Sequence, residues 1–372
     1  MLASVLGIKL VLWLGKTVPL PAPVDVMNAL TKVEVTSGVD GQDGFQLTFT
    51  LGKDTSLDYG LLAGGALDPD TRVVIGALLG VMPEPLVDGV IYHHQVFTSD
   101  EPGMSTLTVS GRDISVLLDL EEKNEKYENQ PDSLIASFIV LRYARYGLVP
   151  MAQPTTDVPL VVQRIPRQQE TDLAFLQRLA QRNGFVFYVE PLTLGTSIAY
   201  WGPEKRTGIP QAPLTFNLGT SSNVQSLHFS SDALAPVGMA GSFVEPLSKM
   251  SIRIPPLPAL KFPPLESNPM APRRTRLMRT TANQNPLQAA TAVLAAATGA
   301  ADPVTATGVL DTVRYGSILR ARRTVGIRGP GISYGGGYYV RRVKQVIDVR
   351  QGTYTQEFVL SRGGTGALLP VV

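Results

Sequence analysis

The chain contains no cysteine, which excludes a disulfide framework and cysteine-ligated zinc. Histidine is nearly as scarce, with His93, His94 and His228 the full complement. Adjacent histidines on a strand point to opposite faces, so His93 and His94 cannot chelate one metal. No G-x-S-x-G, H-E-x-x-H or Walker sequence is present. Glycines cluster at 329–331 and 335–337, but they lie between strands and open no helix, so they read as hairpin turns and not as a phosphate cradle. Long hydrophobic runs are missing too. The most apolar stretch, LASVLGIKLVLWLG, is about 14 residues long and broken by Lys9, short of the roughly 20 that span a bilayer. It lacks a basic leader and a small-residue cleavage site. Its alternation of Ile8, Leu10, Leu12 and Leu14 predicts a strand ended by Gly15, with no targeting or membrane-spanning segment.

What the chain does have is glycine and proline, 35 and 29 in 372 residues, with 44% hydrophobic and 17% charged residues. That composition favours many short strands in two or three domains over helical bundles. The net charge of +2 hides an asymmetry. From Lys261 onward there are 15 Lys and Arg against 5 Asp and Glu, a balance of +10; the preceding residues carry −8. A basic half suits nucleic acid, an acidic protein surface or a charged channel lining. The arginines are spread over several strands and do not run together, which disfavours nucleic acid.

Along the chain, alternating residues predict strands at 31–37, 45–51, 72–79, 86–97 and 105–111, a spacing that suits a small barrel or sandwich. The charged passage 121–132 reads as exposed. Its Glu121, Glu122, Glu125 and Glu128 are a poor catalytic set, because a solvated run cannot raise a general acid's pKa. Asp113 reads as a partner of Arg112 or a cap of the following turn. Asp132 or Ser133 is placed to cap a helix over 134–146 closed by Gly147, with Leu134, Phe138, Leu141 and Arg145 on one face. A second helix is predicted over 171–183, with Leu173, Leu176, Leu179 and Ala180 on one face and Gly184 closing it; a strand follows at 185–190 and another ends at Trp201. Strands resume at 214–218 and 224–231. Residues 252–272 are dense in proline, which forbids a helix and discourages a central strand, so an extended arm is expected. A helix over 285–298, with Pro286 at its first position, is almost all alanine and must pack closely or be marginal. A strand at 304–309 leads to three alternating runs at 324–328, 338–347 and 354–360, an antiparallel meander with arginine-rich polar faces.

Several of these segments carry a family resemblance. The run GTYTQEFVLSR (352–362) after the YYV strand at Tyr338, the pair PLVDGVI and LTVSGRD with Val87, Gly89, Val90, Val109 and Gly111 to Asp113, and QETDLAFLQRLAQRNGFVFYVE (169–190) resemble the hub proteins of contractile tails. These are the phage late control D or gp27-like type, with relatives in extracellular contractile injection systems. The resemblance implies a mainly β chain with an α+β insertion: a first β-barrel domain at 1–116, an α/β lateral domain at 117–212, and a second β-barrel domain at 213–372. It further implies a homotrimer closing as a pseudo-hexameric ring, which adapts a hexameric inner tube protein to a trimeric spike among other baseplate components. Larger members fuse a spike domain where this sequence has GGTGALLPVV, so the spike is expected as a separate protein. Arg320, Arg322, Arg323, Arg341, Arg342 and Lys344 are then the candidates to face the tube or lumen, although pleating should separate Arg341 from Arg342. Leu368, Leu369, Val371 and Val372 are the candidates for the spike. The reading carries no enzyme activity, cofactor, metal or membrane span, and places assembly in the cytoplasm, in a phage-like tail or injection particle. A tail-associated cell-wall hydrolase and a nucleic-acid-binding protein are the alternatives.

Overall fold

Period-two alternation governs most of the chain. The computed structural model describes residues 3–5, 8–39, 41, 43–52, 59–79, 83–101, 103–155, 157, 165–244, 250–259, 261–278 and 286–368. After a short edge strand at Ala3–Val5, β1 (Ile8–Gly15) buries Ile8, Leu10, Leu12 and Leu14 and exposes Lys9, as their spacing requires. There follow β2 (Leu30–Gly38), β3 (Gly44–Thr50), β4 (Arg72–Leu78), β5 (Glu84–Phe97) and β6 (Thr106–Asp113). The middle of the chain supplies α1 (Asp132–Leu141), β7 (Leu148–Ala152), α2 (Asp172–Asn183), β8 (Val186–Thr193) and β9 (Thr196–Gly202). Then come β10 (Gln211–Thr215), β11 (Val224–Ser231), β12 (Val237–Val244), β13 (Ser251–Leu257), α3 (Pro286–Thr298) and β14 (Val304–Asp311). The expected meander closes the series as β15 (Thr324–Arg328), β16 (Gly336–Asp348) and β17 (Thr353–Arg362).

The two expected barrels are not separate closed sheets. One 14-stranded sheet runs through both halves; its main path starts from an edge strand at Ala3–Val5 and continues β1-β4-β5-β6-β3-β2-β16-β17-β14-β11, the remaining strands lie off this path, and no sheet closes on itself among the described residues. The reason lies in β16. Along one edge it pairs antiparallel with β17. Along the other it pairs first with β15, Tyr339 opposite Thr324, and then with β2, Arg342 opposite Gly38 through Asp348 opposite Lys32. A strand of 13 residues is long enough to serve two neighbours in succession. Hydrophobic packing follows the same division. One cluster gathers β1 to β6 around Leu47, Phe49 and Ile75 and takes in Ile347 and Tyr354 from the far end of the hairpin. Another surrounds Tyr338, Val343 and Phe358 at its near end.

At the seam where β16 changes partners sits Arg322. Its backbone N–H donates to Val340 O at 2.8 Å, while its guanidinium crosses to Asp43 (2.8 and 2.9 Å) and to Gly38 O at 2.6 Å. The residue adopts φ +63°, a left-handed conformation uncommon outside glycine, and is 7% exposed. Its guanidinium also lies 4.2 Å from the ring centroid of Tyr188 in β8. One side chain thus ties together the first strands, the meander and the α/β unit. A second buried pair does similar work: Arg72 is bidentate to Asp88 and donates to Gly195 O, with Ser197 also on Asp88.

The α/β unit places α1 and α2 on a three-stranded sheet ordered β7-β9-β8, around a core that includes Trp201, whose indole donates to Leu176 O at 3.1 Å. For α2 the sequence reading holds in detail. Thr171 accepts from Ala174 N–H as N-cap, Gly184 ends the helix at φ +68°, and the four apolar residues are buried. For α1 it fails twice. Neither Asp132 nor Ser133 caps; Pro131 precedes the first turn, and the Asp132 carboxylate instead takes Arg182 and Asn183 from the end of α2. The face of Leu134, Phe138 and Leu141 is the exposed one, at 42, 47 and 50%, while Ile135, Ala136, Ile139 and Val140 face the core. Both stripes are apolar, so spacing alone could not choose between them. The charged passage is also more ordered than expected. Glu122–Lys126 pairs with Arg167–Thr171, Lys123 reaches buried Asp172, and Glu125 pairs with Arg142.

Proline density confines the 251–272 region to edges, as the missing N–H donors require. There β13 flanks β12, and Glu266–Pro269 pairs with Gly364–Ala367. The alanine helix α3 does pack closely: a Cβ on Gly184 would stand 2.9 Å from the Ala295 methyl. Among the described residues, no helix is long and apolar enough to cross a membrane.

Breaking a buried ion pair leaves an uncompensated charge, which costs about 3–5 kcal/mol. Arg322→Met should therefore lower unfolding stability in urea by about that much. Combining it with Asp43→Asn should cost clearly less than the sum of the two single changes. Additive losses would show that the pair does not hold the seam.

Candidate functional site

The core-facing residues of the large sheet leave an opposite face, and register determines what that face carries. Directly opposed residues in antiparallel strands share a face. One row therefore runs across seven strands: Arg112, Gly44, Thr36, Lys344, Glu357, Val309 and Ser226. A parallel row holds Gly38, Arg342, Val359, Thr307 and His228. On the other side lies Ser110, Gln46, Glu34, Val346, Thr355 and Asp311. The result is a polar wall contributed by both halves of the chain. Two shallow hollows, about 560 and 530 Å³, open on it, and Lys344 lines both.

The charges on the wall are of mixed sign. Glu34 takes the ammonium groups of Lys32 and Lys344, each at 2.9 Å. Partial burial pushes the Glu34 carboxyl up, but the two lysines outweigh it and hold its pKa below the usual carboxylate range. Arg342, Glu357, Arg112 and His228 are exposed. Arg112 lies 5.4 Å from the ring centroid of Tyr92.

Of the six basic residues expected at the tube or lumen, the structure brings Arg342 and Lys344 together on this wall. Arg320 pairs with Glu84 and donates to Pro85 O, Arg323 stays exposed and pairs with Glu190, and Arg322 is buried at the seam. Arg341 sits at a bulge, where the register shifts between Val340 and Arg342. The shift interrupts the alternation that was expected to separate Arg341 from Arg342. Of the apolar residues expected at the spike, Leu368 is exposed, while Leu369, Val371 and Val372 lie outside the described residues. Arg112, Glu34, Glu357 and His228 were not among the residues expected here. Only pairing across distant strands puts them in one place.

The carboxylates behave as supports. Arg142, through its hydrogen bond, holds Glu125 below the usual range, which keeps it ionised and unfit as a general acid. Asp113 is different. It is fully buried, accepts from Ser115 Oγ at 2.8 Å, and lies beside Asp43. One guanidinium, Arg322, cannot neutralise two carboxylates. Burial first and the Asp43 charge second push Asp113 from 3.8 up to about 7. Buried beside Asp43 and Arg322, its proton belongs to the seam. His94 meets Leu67 O at 2.5 Å, and no group of three or more potential metal ligands occurs among the described residues.

No protein-family model matches the chain, and no curated protein matches it in sequence. Solved structures do match in fold. The tail protein from Neisseria meningitidis MC58 has a TM-score of 0.64 at 14% identity, over 94% of this chain and 96% of that one. The 43 kDa tail protein of prophage MuSo2 from Shewanella oneidensis gives 0.63 at 13% identity, over 96% and 98%. The Escherichia coli c3393 protein, a type VI secretion system component with structural similarity to the T4 bacteriophage tail proteins gp27 and gp5, gives 0.56 at 15% identity, over 96% and 80%. The chain has the fold of these tail proteins along nearly its whole length.

Because the folded pKa of Asp113 is raised, the stability tied to its proton is fully present below about pH 4 and is lost as pH rises through about 7. Thermal midpoints should fall for the wild type between pH 5 and 8. Asp113→Asn should flatten that slope. A slope unchanged in the variant would remove Asp113 as its source.

Proposed function

We propose that the chain is the structural hub of a contractile tail or injection-system baseplate, acting as a homotrimeric ring that adapts a hexameric inner tube to a trimeric spike. The observation that carries this reading is the polar wall, built from both halves of a chain that shares its fold with tail proteins. In a ring of three copies, two sheet halves per copy supply six similar segments, which suits a sixfold partner. Residues 1–116 and 213–372 would form the ring, with 117–212 standing beside it as a lateral domain. The wall faces the tube or the lumen, where mixed charge and few apolar groups let a passing or docking protein bind without sticking. Arg342 and Lys344 are its basic contacts, and Leu368 belongs to the spike side. The hub is assembled in the cytoplasm with other baseplate components into a tail-like particle. Its work is assembly and the transmission of force, with no catalytic step.

Light scattering on the purified chain should give the mass of three copies, and averaged electron images should show a ring with a central hole. A monomer that stays monomeric with its tube protein present would end the reading. Charge reversal at Arg342 and Lys344 should leave the trimer mass unchanged and weaken tube binding by about tenfold at low salt, with the difference shrinking as salt screens it. Undiminished tube binding in that variant would remove these residues from the contact.

A further inference from the structure

Away from the wall, a second surface of the sheet carries an apolar cleft of about 690 Å³. Its floor is the outward face of β15 and β16, where Gly326 and Gly337 stand directly opposite each other and leave bare backbone. One side is the Phe262 to Leu265 stretch. Leu265 closes over the floor, since a Cβ on Gly337 would meet its Cδ2 at 3.5 Å. Pro210 and Pro213 form the other side, and Leu368 lies at the rim. Phe262 is 79% exposed, a large apolar group with nothing over it among the described residues.

Two arginines line this cleft, and they differ. Arg206 is neutralised by Glu204 and Asp302 and lies 4.9 Å from the ring centroid of Tyr339. Arg328 projects from the same face of β15 as Gly326, and its Nε is buried without a hydrogen-bond partner among the described residues. No ion pair to Arg328 occurs among the described residues. A half-buried guanidinium in an apolar cleft, with a buried donor unmet, has no anion beside it among the described residues. The charge it lacks is the charge a partner would bring.

We propose that this cleft docks an extended apolar peptide segment of a partner protein, which presents one carboxylate to Arg328. An open groove crossing two strands, walled by proline and aromatic side chains, suits a chain laid along the surface. The Arg328 cation in its lining selects an acidic residue. This site is distinct from the wall and does not depend on the hub reading.

The test uses two fluorescein-labelled peptides, Leu-Val-Leu-Pro-Val-Glu amide and its Gln counterpart, in anisotropy titrations against the full chain. The Glu peptide should bind about tenfold more tightly, the size of one charge-assisted hydrogen bond. Arg328→Gln should erase that preference while leaving the thermal midpoint in place. Gly337→Val, whose added group meets Leu265 at ordinary contact distance, should block both peptides. Equal binding of the two peptides, or a preference that survives Arg328→Gln, would overturn the proposal. So would peptide binding that appears only after the residues beyond Leu368 are removed, which would make the chain's own end the occupant. Arg328-dependent binding of dodecanoate with neither peptide bound would assign the cleft to a lipid and overturn it equally.

Discussion

Everything larger in this molecule depends on how the Gly336–Asp348 strand is shared. One edge of it must satisfy two neighbours, and between them lies a gap where the ladder passes from Thr324 and Val325 to Gly38 and Ser37. Unsatisfied backbone groups in a buried sheet are costly, so the gap has to be filled. Arg322 fills it with its own main chain on Val340 and its side chain on Gly38 O and Asp43. The left-handed backbone is the strain that this geometry demands, and the bidentate pair offsets it.

From that seam follows the wall. If β16 paired with only one half, the polar face would stop at each half's edge. Because it pairs with both, the row from Arg112 to Ser226 continues across strands that are far apart in the chain. The alternation that buries Val33, Val35, Phe45, Leu47 and Phe358 on one side necessarily delivers Glu34, Thr36, Gln46 and Glu357 to the other. Core and wall are two sides of one pattern. The seam also buries Asp113 and sets it beside the Asp43 carboxylate, and burial first and that charge second are why Asp113 holds its proton so far above an ordinary aspartate.

Local signals were legible wherever one element supplied all of its own reasons. The Leu173 to Ala180 spacing and Gly184 located α2 within a residue, and the strand at Val224–Ser231 matched its expected bounds. The failures share a cause. In α1 two apolar stripes competed, and the inward one was chosen by packing against β7 and α2, which its own sequence does not encode. The 122–126 strand has no apolar alternation at all, and it is held by Asp172 and Arg142 from later in the chain. Spacing suggested a small barrel or sandwich for the first strands, and the family resemblance implied a second barrel; the single sheet arises because one long strand serves both halves.

The same division applies to the arginines. Their number and their late position in the chain were present in the order of residues. Their roles were not. Arg320, Arg322, Arg323 and Arg342 look alike as letters, yet one braces Glu84, one is buried on Asp43, one caps Glu190 and one stands on the wall. Periodicity and turn chemistry act within a few residues, so strands, helix ends and turns can be read from their own letters. A charge finds its partner through register between segments hundreds of residues apart, so burial, pairing and the face of the wall were settled only when the sheet assembled.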